Sequence, residues 1–176
     1  MIKRLTYFIS LLILPSIPLA QHSLSFDGVN DYVNVGNTNS LAFNGSVSIS
    51  AWVKISNFNN SLAAVVSMHS HVRGYAIEKS SGENKLGFWV SDGTDDIEVK
   101  TNILSANRWY NIVGTNDGST SKIYVDGSLI NSTSQGGTAA STGDLKIGLH
   151  SHETASSRYW NGKIDEVAIW LSLIHI

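Results

Sequence analysis

The sequence predicts an all-β protein, folded as a sandwich or jelly roll of many short strands. Apolar and polar residues alternate with a period of two along several segments, as expected when one face of a strand is buried. Turn dipeptides that contain glycine separate these segments, and no segment has a sustained helical period. Many short strands joined by regular turns are typical of sandwiches and jelly rolls.

The composition excludes several classes of protein. Of the 176 residues, 42% are apolar and only 15% are charged, which is too little charge for a disordered tail or a coiled coil. The chain has no cysteine, so a disulfide scaffold, a thiolate zinc cluster and a cysteine nucleophile are all excluded. A net charge of −2 provides no basic surface, and we expect no nucleic-acid partner.

Residues 1–20 are predicted to be a secretory signal peptide. Lys3 and Arg4 precede an apolar run over residues 7–14, which is too short to span a bilayer, and two prolines follow before Ala20. Cleavage after Ala20 would release the mature domain as a secreted or cell-surface protein with no membrane insertion. An N-terminal membrane anchor that is never cleaved is the alternative.

Four segments of the mature chain carry the clearest strand pattern. They are residues 47–55, 86–91, 122–126 and 145–149. No linker or long internal repeat divides the chain, which predicts one domain. The predicted turns are Asn44-Gly45, Ser81-Gly82, Asp92-Gly93, Asp117-Gly118, Asp126-Gly127 and Asn161-Gly162.

The order of the strand motifs resembles that of a known family. The motifs are Ser25-Phe26-Asp27-Gly28 and the segments 47–54, 108–113, 122–127, 145–148 and 159–170. In this order they resemble the laminin-G-like, concanavalin A-like jelly-roll domains of secreted bacterial proteins, with the domain over residues 21–170. The resemblance implies two stacked antiparallel sheets and a module that binds glycans or other extracellular ligands. Some members carry calcium, and the family has no shared catalytic residue.

The last six residues, 171–176, depart from the pattern of that family. They are what CTG TCT CTT ATA CAC ATC encodes, which resembles the end of a common transposon-based sequencing adapter. We therefore expect the natural chain to continue beyond Trp170, with this domain as the first of a longer protein. A genuine apolar tail that pairs with a sheet edge is the alternative.

No catalytic residue is predicted in this domain. Jelly-roll glycoside hydrolases of the laminarinase type place paired carboxylates on one strand face, and no glutamate here has an aspartate two residues on. A nucleophile elbow and phosphate-binding glycine loops are also absent. We expect a carbohydrate-binding or adhesion module. The alternatives are a hydrolase, with a downstream catalytic domain or with carboxylates not recognised here, and a structural spacer in an adhesin.

Aromatic residues are the predicted ligand contacts, because the apolar faces of sugar rings stack on aromatic rings. Trp89 alternates with core residues of its strand and therefore points outward, where a tryptophan is costly unless something covers it. Trp52 and Trp109 match the pattern of the family and are expected to be framework residues. For Trp160 that framework role is an equal alternative. The predicted ligand-binding residues are Trp89, Tyr75, Tyr159 and Trp160.

Two His-Ser-His motifs predict a transition-metal site. Residues two apart in an extended chain point the same way, so each motif could chelate zinc or copper through neutral imidazoles. If the two loops meet in space, four imidazoles converge, whereas two exposed polar loops are the alternative. The histidines concerned are His69, His71, His150 and His152.

The resemblance also implies a calcium ion that ties the first and last strands together. Related jelly rolls hold calcium with an aspartate of the terminal strand, and Asp165 occupies the matching place. Asp27 is the expected second carboxylate, with Asp31 as the alternative, because calcium prefers oxygen ligands. The alternative is that Asp27 only shapes the Asp-Gly turn that follows it.

Overall fold

The computed structural model describes residues 22–38, 40–42, 44–70, 73–138, 140–151, 158–172 and 174. The predicted signal peptide and the histidines His71 and His152 lie outside these residues. Within the described part of the chain, no helix is long and apolar enough to cross a membrane.

The described residues form an all-β fold, as predicted. The strands are β1 (Leu24–Asp27), β2 (Val33–Gly36), β3 (Val47–Ile55), β4 (Ala64–Ser67), β5 (Arg73–Lys79), β6 (Leu86–Asp92), β7 (Asp96–Lys100), β8 (Trp109–Asn116), β9 (Ser121–Val125), β10 (Ser128–Thr133), β11 (Leu145–Ile147) and β12 (Asn161–Trp170).

The strands form two six-stranded antiparallel sheets. Sheet A has the order β1-β12-β3-β8-β9-β10, and sheet B has the order β2-β11-β4-β5-β6-β7. The predicted two-sheet antiparallel jelly-roll sandwich is therefore confirmed. The first and last strands pair side by side in sheet A, as the resemblance implies.

The core lies between the two sheets and is formed by alternate residues of the strands. In β3 the apolar residues Val47, Ile49, Ala51 and Val53 are at most 1% exposed, and they alternate with polar or aromatic residues on the outer face. In β6, Phe88 is fully buried in the same core. The outer faces of both sheets are thus left to carry the polar and aromatic side chains.

Five of the six predicted turns lie in connections between strands, but the prediction at Asn161-Gly162 is wrong. These two residues begin β12, where they pair with Asp27 and Phe26 of β1. A Cβ at residue 162 would lie 2.0 Å from the carbonyl oxygen of Lys54. The glycine therefore allows close strand pairing and does not reverse the chain.

Residues after the end of β12 remain in contact with sheet A. The hydroxyl of Ser48 donates to the backbone carbonyl of Ser172 at 2.8 Å, and the amide of Ile174 donates to the same hydroxyl at 3.1 Å. These residues therefore lie against the outer face of β3.

Candidate functional site

Two of the four predicted ligand-binding aromatics are core residues. Tyr75 is 1% exposed and Trp160 is 0% exposed, so neither ring offers a face to a ligand. The Tyr75 hydroxyl donates to the carbonyl of Leu41 at 3.1 Å, and burial raises the pKa of this phenol. Tyr75 shares a strand face with the core residue Ile77. The prediction that Tyr75 and Trp160 contact a ligand is therefore wrong.

The other two predicted aromatics, Tyr159 and Trp89, are half-buried outside the core cluster. The Tyr159 ring is tilted by 58° against that of Tyr32, with centroids 6.3 Å apart. Trp89 lies on the outer face of sheet B, as its alternation predicts, with its ring centroid 6.4 Å from that of His69. A ligand-binding role for these two residues stays a prediction.

A groove with two tryptophans lies on the outer face of sheet A. This tryptophan groove is a cavity of about 370 Å³ lined by Ser23, Trp52, Trp109, Lys163 and Asp165. It combines two half-buried indoles with an amine, a carboxylate and a hydroxyl. Such a lining offers apolar contact area together with hydrogen-bonding groups that could orient a ligand.

The register of three neighbouring strands places these side chains on one face. Directly opposed residues of β12, β3 and β8 form two cross-strand rows, and opposed residues share a face of the sheet. The rows are Asp165–Trp52–Asn111 and Lys163–Lys54–Trp109. Each row carries one tryptophan, and the two indoles occupy diagonal positions with Cα atoms about 7–8 Å apart.

Trp52 and Trp109 both lie on the outer face and outside the core, and the expectation that they are framework residues stays a prediction. A usable signal was present in the sequence. Trp52 lies between Ala51 and Val53, which are 0% and 1% exposed. The alternation that predicts an outward Trp89 therefore predicts an outward Trp52 as well.

A buried cluster of His69, Glu78 and His150 lies on the outer side of sheet B. The three residues are at most 7% exposed, and one potential ligand atom of each lies within 4.8 Å of the others. His150 Nε2 is 3.5 Å from Glu78 Oε2, and the rings of His69 and His150 meet edge to face with centroids 5.7 Å apart. One histidine of each His-Ser-His motif is thus brought to the same place, and metal binding stays a prediction.

The hydrogen bonds of His69 define its tautomer. His69 Nε2 lies 3.0 Å from Asp96 Oδ1 and 2.9 Å from Ser91 Oγ. Because a carboxylate only accepts, Nε2 carries the proton and donates it to Asp96. His69 Nδ1 is buried and has no hydrogen-bond partner among the described residues.

The segment that carries His150 folds back over sheet B after β11. The amide of Ser151 donates to Ser67 Oγ at 3.2 Å, and the Ser151 hydroxyl donates to the carbonyl of His69. Gly148, at the start of this return, has φ of +84°, and a Cβ there would lie 2.3 Å from the ring of Phe26. A glycine is needed at this position for both reasons.

The predicted calcium ligands do not converge. Asp27 pairs with Asn161, and Asp165 lies four residues further along β12, an offset of about 13 Å. Asp27 Oδ1 accepts the amide of Val29 at 2.7 Å, and so shapes the turn. The prediction that Asp27 and Asp165 share one calcium ion is therefore wrong. Calcium binding with other ligands stays a prediction.

Comparison with known proteins identifies the fold family of the chain. A profile of the concanavalin A-like lectin/glucanases superfamily matches residues 27–173. Among curated proteins, none matches this sequence.

Several solved structures share the fold at low sequence identity. The Ruminococcus gnavus IT-sialidase CBM40 bound to α2,3-sialyllactose has a TM-score of 0.65 and 10% identity, over 88% of this chain and 94% of that one. Domain 4 of AbnA, an extracellular arabinanase from Geobacillus stearothermophilus, in complex with arabinotriose, has a TM-score of 0.66 and 15% identity, over 85% and 70% of the two chains.

A third similar structure comes from a longer protein. It is a Bacteroides ovatus protein assigned to carbohydrate binding, with a TM-score of 0.68 and 18% identity over 87% of this chain. The present chain spans only 44% of that protein. At these identities the likeness establishes the fold, and the ligand has to be argued from the surface of this chain.

Proposed function

We propose that this chain, which belongs to the concanavalin A-like lectin/glucanases superfamily, is a secreted module that binds carbohydrate in the tryptophan groove. The observation that carries the proposal is the pair of outward-facing indoles, Trp52 and Trp109, in a cavity of about 370 Å³. Secretion is supported by the arrangement of residues 1–20, with a basic start, an apolar run and a small residue at the end.

The chemistry of the groove suits a sugar. The C–H faces of a pyranose or furanose ring stack on indole, while its hydroxyls need donors and acceptors at the edge. Lys163 supplies donors and Asp165 supplies acceptors next to Trp52. A cavity of about 300–1,000 Å³ is typical of small-ligand sites, and the groove lies within this range.

Two similar structures suggest the first ligands to test. One was solved with arabinotriose and the other with α2,3-sialyllactose, so both sugars are suitable probes in addition to a glycan array. Binding is measured by isothermal titration calorimetry with the native protein and with the variants Trp52→Ala and Trp109→Ala. Trp89→Ala is the matched control, because it removes the same side chain from the other sheet.

The expected result is a selective loss of affinity in the groove variants. Removing one stacked indole should cost about 1–3 kcal/mol of binding, which is about 5- to 150-fold in Kd. Circular dichroism of each variant tests whether the fold is retained. A loss in Trp89→Ala with full binding by the groove variants would contradict the proposed site and favour sheet B.

Two further assays of the native protein distinguish the alternative functions. Release of reducing ends from polysaccharides would favour a hydrolase whose catalytic groups lie in this domain. A glycan array without any binding would favour a structural spacer. Both results would contradict the proposal of a non-catalytic sugar-binding module.

A further inference from the structure

We infer that His69, Glu78 and His150 form a binding site for a divalent transition metal, with zinc as the ion that fits best. The inference is independent of the proposed sugar site, because the cluster lies on sheet B and the tryptophan groove lies on sheet A. It rests on three observations, which are the convergence of the ligand atoms, their burial, and a buried Nδ1 of His69 that has no hydrogen-bond partner among the described residues.

The ligand set is suited to zinc. Two imidazoles and one carboxylate, with a fourth position for water or another ligand, are a common zinc coordination. With bonds of about 2.0–2.2 Å, tetrahedral ligand atoms lie about 3.4 Å apart. The 3.5 Å separation of His150 Nε2 and Glu78 Oε2 already meets this requirement, and one potential ligand atom of His69 lies within 4.8 Å of both residues' ligand atoms.

The hydrogen bond to Asp96 orients His69 for metal coordination. Metal-bound histidines usually donate their second ring N–H to a carboxylate or a carbonyl, which fixes the ring and increases the basicity of the ligating nitrogen. Here Nε2–H of His69 donates to Asp96 Oδ1 at 3.0 Å, and Nδ1 is the buried nitrogen with no hydrogen-bond partner among the described residues. A metal bound at Nδ1 would satisfy a group that is otherwise costly to bury.

An ion at this site would join three separate parts of sheet B. His69 follows β4, Glu78 lies within β5, and His150 follows β11. Nothing covalent connects these segments across the sheet, since the chain has no cysteine. Binding to the folded state alone should therefore stabilise the protein as the zinc concentration rises.

Zinc binding is measured on untagged protein by equilibrium dialysis and by thermal melting with zinc or with chelator. The native protein should hold one zinc per chain and melt at a higher temperature with zinc. Glu78→Gln and His69→Ala should lose both effects. His22→Ala is the matched control, because His22 is exposed and belongs to the described residues outside the cluster. It should bind zinc like the native protein.

Asp96→Asn tests the positioning role of the carboxylate. It retains all three ligands and should weaken zinc binding by about 10- to 100-fold, the usual cost of losing such a partner. The visible absorption of bound cobalt(II) provides a second readout, because four-coordinate cobalt absorbs strongly and a hydrated ion does not. Native protein without bound zinc, or zinc retained in Glu78→Gln and His69→Ala, would overturn the inference.

Discussion

Gly114→Ala tests the packing of one sheet on the other. Gly114 lies on β8 between Ile49 and Ile123, which are both fully buried. The ring of Phe88, from β6 of the opposite sheet, fills the space above this glycine. A Cβ at residue 114 would lie 2.2 Å from Phe88 Cδ2 and 2.3 Å from Phe88 Cγ.

The size of the effect follows from these distances. Carbon atoms pack at about 3.5–4.0 Å, so the ring of Phe88 or one of the sheets would have to move by more than about 1 Å. Overpacking of this kind costs about 1–3 kcal/mol. The backbone of Gly114 does not have a positive φ, so alanine also gains about 0.4–1 kcal/mol by restricting the unfolded chain. We expect a net loss of about 1–2 kcal/mol in the free energy of unfolding.

Urea denaturation of a double-mutant cycle provides the assay. Phe88→Ala removes the Cγ and Cδ2 atoms that would clash with the new methyl group, so Gly114→Ala should cost less in that background than in the native protein. Gly143→Ala is the control, since a Cβ there would meet its nearest atom at 3.6 Å and should leave stability unchanged or slightly higher. An equal penalty for Gly114→Ala in both backgrounds would refute the assignment of the clash to Phe88.

Three further predictions concern the core and the turns. Trp160→Ala should lower the free energy of unfolding by about 3–5 kcal/mol in urea, and a stable variant would contradict its burial. Burial raises the pKa of Tyr75, which means that the folded state favours the neutral phenol. The stability gained from this phenol is therefore complete below the usual tyrosine pKa and is lost as the pH rises toward the raised pKa. Ultraviolet titration should therefore show this phenol ionising only with unfolding, whereas an earlier ionisation would contradict its burial. Asp117 accepts hydrogen bonds from Ser119, which hold the pKa of its carboxyl below the usual range. This stability is present above the usual pKa and is lost as the pH falls through the lowered value, so the Tm difference between native protein and Asp117→Asn should disappear in acid. A difference that persists there would refute this assignment.

The fold was predictable because its strands alternate cleanly where one face is exposed. Residues 47–55 were predicted as a strand and are observed as β3 with the same bounds. The Asn161-Gly162 signal failed because a local dipeptide preference was outweighed by pairing with β1 on one side and β3 on the other. Such pairing joins residues more than a hundred positions apart, and no local pattern contains it.

The ligand-site aromatics were harder to predict where both faces of a strand are covered. In β5, every residue after Arg73 is buried, and the charged residues Glu78 and Lys79 fall on opposite faces, so polarity does not mark one face as the outer one. Alternation with a period of two then cannot tell whether the Tyr75 side chain points toward the core or toward the outer face of the sheet. Trp52 of β3 and Trp89 of β6 are half-buried between fully buried core neighbours, and the same reasoning places both correctly on the outer faces.

The meeting of His69 and His150 depends on a change of chain direction that strand patterns do not contain. Antiparallel pairing sets Ser67 of β4 opposite Lys146 of β11, so chains that continued straight would place the two histidines about 20 Å apart. Their ring centroids are 5.7 Å apart because the chain returns over sheet B after β11. The two hydroxyl groups of Ser67 and Ser151 lie 3.0 Å apart and fix this return. The cluster therefore exists only in the folded protein. Because the unfolded chain does not bring these ligands together, an ion should bind the folded state more tightly and so stabilise it.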